Sequence, residues 1–148
     1  MSFNVLRHLP KSVNKIHKPI TMVRGNGTFV WGVDGKKYLD FTTGIGAVST
    51  GHCHPHVVSA VKKQAEEYSH ASQQIFASHP AQIDLTQKML SILPKTLTNI
   101  FYTNDGSGAT DNAIKVSRRF TNKTNIISVM GGFHGRSIGA LSLNSSGL

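Results

Sequence analysis

The first clear pattern along the chain is a pair of strand-like segments separated by a turn. Residues 28–33 are rich in β-forming side chains, and residues 36–41 alternate polar and apolar positions. Asp34 and Gly35 between them form a dipeptide typical of hairpin turns. The pattern therefore predicts a β-hairpin, which a glycine-rich loop over residues 44–51 follows.

Three later segments carry the periodicity of amphipathic helices. The first begins near Pro55 and repeats apolar residues as far as Tyr68, and the second begins near Pro80 and ends before Pro94. The third follows the loop at residues 104–108. Its apolar side chains at helical spacing are Ala109, Ala113, Val116 and Phe120.

Two short apolar runs flank the third helix. Residues 99–103 and 125–130 are each typical of a buried strand. A strand, a helix and a second strand in this order predict a βαβ unit of a parallel sheet, which places the chain in the α/β class. Since ligands of such sheets bind beyond the carboxyl ends of the strands, we expect the loops after both strands to share one edge.

The loop before the third helix has the composition of a phosphate site. Glycine at positions 106 and 108 lets a ligand approach the backbone, and the first amides of a helix attract anions. Ser107 could add a hydroxyl donor, or could be an ordinary N-cap in a plain turn. Either interpretation predicts that the helix begins within about two residues of Ser107. The spacing is that of neither a P-loop nor a dinucleotide fold.

The loop after the second strand offers three different groups. Phe133 supplies an aromatic face, His134 a titratable imidazole, and Arg136 a planar guanidinium suited to a carboxylate. Taken singly, Phe133 could be an ordinary core residue, His134 a histidine whose hydrogen bonds are made within the protein, and Arg136 an ordinary surface residue. Together at a ligand-binding edge they favour stacking on a flat ring and binding of an acidic substrate.

Composition and charge exclude several classes of protein. The 148 residues include 16 Lys and Arg but 7 Asp and Glu, a net charge of +9. This excess predicts a phosphate-bearing partner, or a more acidic segment that balances it. Nucleic-acid binding is disfavoured because the basic residues are scattered. No apolar run approaches the ~20 residues of a membrane span, and the single cysteine, Cys53, excludes an internal disulfide framework.

Two further segments are open to more than one interpretation. His52, Cys53 and His54, with His56 nearby, resemble metal ligands, but neighbours in sequence rarely converge on one ion, and we expect no metal site. Residues 1–33 carry only positive charge, which fits a plain N-terminal arm or a mitochondrial transit peptide. Localisation is therefore cytoplasmic or mitochondrial, with the cytoplasm favoured.

An ordered set of motifs resembles the class III pyridoxal-phosphate aminotransferases. The resemblance is to the ω-amino-acid group, which includes the 4-aminobutyrate, ornithine and acetylornithine aminotransferases, and it covers nearly everything from about Gly25 onward. The motifs occupy residues 33–41, Gly44-Ile45, Gly51 to Pro55, Tyr102 to Asn104 with Gly106-Ser107, Asn112 to Lys115, and Gly132 to Arg136.

The resemblance implies a fold, a cofactor and a set of site residues. The fold is the N-terminal part of a fold type I transferase, with the arm and hairpin of the small domain at residues 1–50 and the start of the large domain at 51–148. Gly106 and Ser107 would hold the phosphate of pyridoxal phosphate. Phe133 would lie against its pyridine ring with His134 beside it, and Arg136 would bind a substrate carboxylate. The substrates would be an ω-amino acid and a 2-oxo acid, and the family protein a homodimer.

The chain departs from the family pattern in two ways. Gly108 stands where the family usually has Glu, and Asp105 stands where a small residue such as Ser is common. The family's Schiff-base lysine also lies well downstream, so we expect the chain to be truncated, with no catalytic residue of its own, and inactive alone. A non-enzymatic phosphate or anion binder and a structural remnant are the alternative hypotheses.

Overall fold

The structure is a computed structural model that describes residues 20–70 and 78–145. The chain divides into two compact units, Met1–Ala71 and Ser72–Leu148. The basic N-terminal arm lies largely outside the described residues, so its interpretation as an arm or a transit peptide stays open. The predicted domain boundary after residue 50 likewise stays a prediction.

The first unit is built on a three-stranded antiparallel sheet in the order β1 (Met22–Asn26), β2 (Phe29–Gly32) and β3 (Lys37–Leu39). Strands β2 and β3 pair through Val30 and Tyr38, so the predicted hairpin is confirmed. The Asp34 carboxylate accepts hydrogen bonds from the Lys36 amide (3.1 Å) and the Tyr38 hydroxyl (3.0 Å), which fixes the turn. Strand β1 was not predicted, because Arg24, Gly25 and Asn26 give it few of the side chains that favour strands.

One face of this sheet carries cations over aromatic rings. The Arg24 guanidinium lies 4.6 Å from the centroid of Trp31, and the Lys37 ammonium lies 3.7 Å from that of Phe29. Val30, between these two rings in sequence, points to the other side and is only 3% exposed. Alternation along β2 therefore separates a buried apolar position from two solvated cation–aromatic contacts.

A short left-handed segment and a helix follow the sheet. Helix α1 (Thr43–Gly46) contains Gly44 and Ile45 in left-handed conformation, where the sequence predicted only a loop. Helix α2 (Pro55–Glu67) begins at its first-turn proline as predicted. Within this unit, His52 forms an isolated antiparallel bridge with Gly27.

The described residues of the second unit, 78–145, form three helices. Helices α3 (Pro80–Ile92) and α4 (Gly106–Thr121) match the predicted segments, and the short α5 (Ile138–Leu141) was not predicted. The Asp111 carboxylate of α4 accepts the Ala140 amide of α5 at 2.8 Å, and Ala140 is fully buried. The two helices are thus joined by a polar contact beside a small apolar one.

The two strands of the predicted βαβ unit do not form in the described part of this unit. Neither residues 99–103 nor residues 125–130 belong to a strand, and no parallel pair occurs in the described part of the chain. Ile127 is 98% exposed instead of buried. A strand exists only through hydrogen bonds to a neighbour, and strands consecutive in sequence need not be adjacent in a sheet. Apolar composition alone therefore could not supply the pairing.

The apolar face of α4 is also uncovered. Val116 is 66% exposed and Phe120 87% exposed, although both lie at the predicted apolar spacing. The half-buried side of the helix instead carries Ser107, Thr110 and Asp111. Among the described residues, no helix is both long and apolar enough to cross a membrane.

Candidate functional site

The two glycine-containing loops of the second unit meet at the start of α4. The Arg136 backbone N–H donates to Ser107 Oγ at 3.1 Å, and Thr110 Oγ1 donates to the His134 carbonyl at 3.0 Å. The two loops therefore meet, but the parallel sheet edge that was predicted to bring Phe133 and Arg136 to Gly106 does not form in the described residues. Side-chain hydroxyls of α4, not a parallel sheet edge, hold the loops together in the described chain.

Close approach of the loops depends on Gly135. Its φ is +129°, a conformation that residues with a side chain rarely adopt. A Cβ at this position would lie 2.9 Å from the Cα of Ser107 and closer still to its hydroxyl oxygen. Glycine is thus required here both by backbone conformation and by space.

Asp105, not Ser107, caps helix α4. The helix begins at Gly106, within the two residues predicted, and the Asp105 carboxylate accepts the Gly108 amide at 2.6 Å. The interpretation of Ser107 as N-cap is wrong because Asp105, two residues earlier, caps the helix by accepting the third helical amide. Aspartate is among the preferred N-cap residues, so its place before the glycines is a signal that sequence reasoning could have used.

Two amides at this helix start remain available. Ala109 donates to the Asp105 carbonyl at 3.2 Å, and Gly108 is taken by the carboxylate. Within the described residues, the amides of Gly106 and Ser107 have no hydrogen-bond partner. A Cβ on Gly106 would meet nothing within 4 Å, so open space lies before this helix turn.

The loops line an open cavity of about 470 Å³. Its lining includes the five predicted site residues together with Asp105, Thr110 and Gly135, which were not predicted as site residues. The predicted residues that it brings together are Gly106, Ser107, Phe133, His134 and Arg136. Phe133 is 56% exposed, and the Arg136 guanidinium has no ion pair within residues 20–70 and 78–145. An aromatic face and an unpaired cation thus line the same cavity as the available amides.

His134 is held firmly by its backbone. Its N–H donates to Asn144 Oδ1 at 2.7 Å, and Asn144 Nδ2 donates to the Gly135 carbonyl at 2.8 Å. Its Nε2 is buried without a hydrogen-bond partner in the described structure. Asn144 therefore fixes the backbone of the loop at His134 and Gly135. Nothing in the sequence around Asn144 indicates this contact.

His52 and Cys53, which are neighbours in sequence, have different surroundings in the structure. His52 Nε2 lies 2.6 Å from the carboxylate of Asp40, and Cys53 is exposed. Within the described ranges, no three His, Cys, Asp or Glu side chains come together in an arrangement that could hold a metal ion.

Comparison with known proteins decides the family. A family model described as aminotransferase class-III matches residues 10–147. The chain belongs to the class III aminotransferases. The motif set at Gly106-Ser107 and at Gly132 to Arg136, found from the sequence, lies inside the matched range.

Individual relatives carry different substrate names. The chain is 42% identical over 124 residues to an acetylornithine aminotransferase of Methanopyrus kandleri, covering 84% of this chain and 31% of that protein. It is 36% identical over 124 residues to a probable 4-aminobutyrate aminotransferase of Bacillus subtilis, covering 83% and 28%. The chain thus spans less than a third of the length of these relatives.

A solved structure agrees with the family. An adenosylmethionine-8-amino-7-oxononanoate aminotransferase from Methanocaldococcus jannaschii matches with a TM-score of 0.84 at 30% identity, over 94% of this chain and 33% of that one. The expected fold class, the N-terminal part of a fold type I pyridoxal-phosphate transferase, is therefore confirmed.

Proposed function

We propose that this chain supplies the phosphate and substrate-carboxylate contacts of a pyridoxal-phosphate aminotransferase. The reaction would move an amino group from an ω-amino acid, of the 4-aminobutyrate or ornithine type, to a 2-oxo acid. The observation that carries the proposal is the single cavity formed by Gly106 and Ser107 with Phe133 and Arg136. Relatives named for acetylornithine and 4-aminobutyrate support the substrate class.

The residues present fit the phosphate group of the cofactor. Two amides at the start of α4 have no partner in the described chain, and the space before Gly106 is open. Ser107 Oγ accepts the Arg136 amide, which leaves its own hydrogen free to donate. Backbone N–H groups at a helix start, with the helix dipole, favour an anion at this point.

The other cavity residues fit the ring and the substrate. Phe133 offers a half-exposed aromatic face for a pyridine ring, and His134 stands next to it in the same lining. The unpaired guanidinium of Arg136 suits a carboxylate because its planar fork can donate two parallel hydrogen bonds. Bound pyridoxal phosphate supplies the electron sink for amino transfer. This chain's residues then hold the phosphate, orient the ring and position the acidic end of the substrate.

A binding measurement on Gly106→Ala tests the phosphate site. The added methyl group meets no protein atom, so the fold should be retained, but the methyl group fills the space assigned to phosphate. We expect pyridoxal phosphate to bind the variant about tenfold or more weakly, the loss expected for a charge-assisted hydrogen bond. Calorimetry on the full 148-residue chain, with phosphate-free pyridoxal as the second probe, measures this difference.

Gly108→Ala is the matched control, since it lies in the same helix turn but outside the cavity lining. Its Cβ would make ordinary contacts, the nearest at 3.4 Å to Asp105. The control should bind as the unchanged chain does. Equal weakening in both variants, or equal affinity for pyridoxal and its phosphate, would contradict a phosphate site at Gly106.

A chimera tests the reaction itself. Residues 20–145 would replace the matching segment of the Methanopyrus kandleri acetylornithine aminotransferase, which supplies the remaining two thirds of a family protein. We expect the chimera to transfer the amino group of acetylornithine or 4-aminobutyrate to 2-oxoglutarate and to form the homodimer proposed for the family. A folded chimera that binds pyridoxal phosphate without transfer would favour the alternative function, anion binding without catalysis, which the charge of +9 supports.

A further inference from the structure

Asp105 places a negative charge at the start of α4. Its carboxylate accepts the Gly108 amide at 2.6 Å, and its carbonyl accepts the Ala109 amide and the Thr103 hydroxyl. The same residue lines the cavity together with Gly106 and Ser107. A carboxylate therefore occupies the helix end at which an incoming anion would find its donors.

The charge has two opposing consequences. An acidic side chain at a helix N-terminus is stabilising because it complements the helix dipole. It also takes one of the three amides that face this end, and it repels a second anion placed against the other two. Arg136 is the cation among the cavity residues, but its backbone rather than its guanidinium contacts Ser107.

We propose that the Asp105 carboxylate, held at the start of α4 by the Gly108 amide, lowers the phosphate affinity of this cavity by repelling the phosphate dianion. Asp105 is thus a specificity-determining residue that weakens phosphate binding in this chain. The inference rests on the proposed phosphate site. It goes beyond it by assigning a role to a residue that the family pattern does not have.

The test is Asp105→Asn in the full chain, with pyridoxal phosphate and inorganic phosphate as probes. Asparagine caps helices as well as aspartate does, so the fold should be retained while the charge is removed. We expect affinity to rise roughly tenfold, the effect of a unit charge on a phosphate dianion about 6 Å away in water. Asp105→Ser, which also keeps a capping side chain, should change affinity in the same direction.

Asp84→Asn is the control, because it makes the same change in net charge at an exposed position of α3. Its affinity should stay unchanged. The gain from Asp105→Asn should also shrink in high salt, since screening weakens a repulsion between charges.

Three results would overturn the inference. If the unchanged chain binds phosphate and Asp105→Asn binds equally or less tightly, the inference is wrong while the proposed function stands. If Asp84→Asn gives the same gain, net charge and not the position of Asp105 is responsible. If neither the unchanged chain nor Asp105→Asn binds either probe, the phosphate site fails and the inference fails with it.

Discussion

Two glycines at the cavity differ in whether they could accept a side-chain Cβ atom. Gly106 and Gly135 lie on the two loops that meet, yet a Cβ on Gly106 would enter open space and one on Gly135 would enter Ser107. The first glycine leaves room for a ligand, and the second lets the protein pack against itself. We therefore expect Gly106 to serve ligand binding and Gly135 to serve folding, although both line one cavity.

Gly135→Ala is expected to destabilise the second unit. The substitution imposes backbone strain at φ +129° and a contact with Ser107 that the backbone must move to relieve. Together these effects should lower the free energy of unfolding by roughly 2–4 kcal/mol. Urea denaturation measures the loss, and Gly106→Ala, which has neither penalty, is the control. Equal stability of the two variants would show that the loops do not need this close contact.

Elements with local signals were predicted well, and those that depend on distant partners were not. The hairpin follows from Asp34-Gly35, and α2, α3 and α4 follow from first-turn residues and apolar periodicity. A strand forms only where a partner pairs with it, and composition does not encode that partner. This is why β1 was missed and why strands were wrongly expected at residues 99–103 and 125–130. The five candidate site residues were singled out from the composition of their loops and from the family motif. Asp105 was noted only as a departure from the family pattern, and its capping role, like the contacts of Thr110 and Asn144, comes from the structure.

The segment between β3 and α2 is organised around one carboxylate. Asp40, whose side chain is 5% exposed, accepts hydrogen bonds from the Thr42 hydroxyl and amide and from the Thr43 amide, and it lies beside His52. The Thr42 hydroxyl, followed by His52 and the two amides, holds the pKa of this carboxyl well below its usual range. The ionised carboxylate thus anchors both ends of the segment.

Stability of the first unit should therefore fall in acid. A carboxyl with a depressed folded pKa contributes stability that is present above its unfolded pKa, about 3.9, and is lost as pH falls toward the folded value. We expect the urea midpoint of the full chain to drop below about pH 4. Asp40→Asn should lower the midpoint at pH 7 and flatten this acid dependence, whereas Asp84→Asn should leave both unchanged. If the urea midpoint of Asp40→Asn falls in acid as steeply as that of the unchanged chain, other groups cause the loss of stability.

Across the whole molecule, apolar surface exceeds what the described residues cover. The buried apolar side chains among these residues are Val30 and Ala140, while Phe120, Ile127 and Met130 are each more than 85% exposed. The chain spans less than a third of its relatives. We infer that the remaining length of a family protein covers these surfaces and pairs with the segments flanking α4, since exposed apolar side chains lose the stabilisation that burial provides.

We predict that a polypeptide of these 148 residues binds phosphate groups but does not transfer amino groups. By family resemblance, the lysine that links to the cofactor and the acid that pairs with its ring nitrogen lie beyond the matched third. A positioned acid–base group alone typically contributes 10²–10⁴-fold to rate, so the cavity residues without that lysine should give no measurable turnover. The assay adds pyridoxal phosphate and follows transfer from 4-aminobutyrate or ornithine to 2-oxoglutarate, with the chimera as positive control. Turnover together with borohydride trapping of the cofactor on Lys115 or Lys123 would contradict the prediction, and it would place the catalytic amine on α4 or the segment after it.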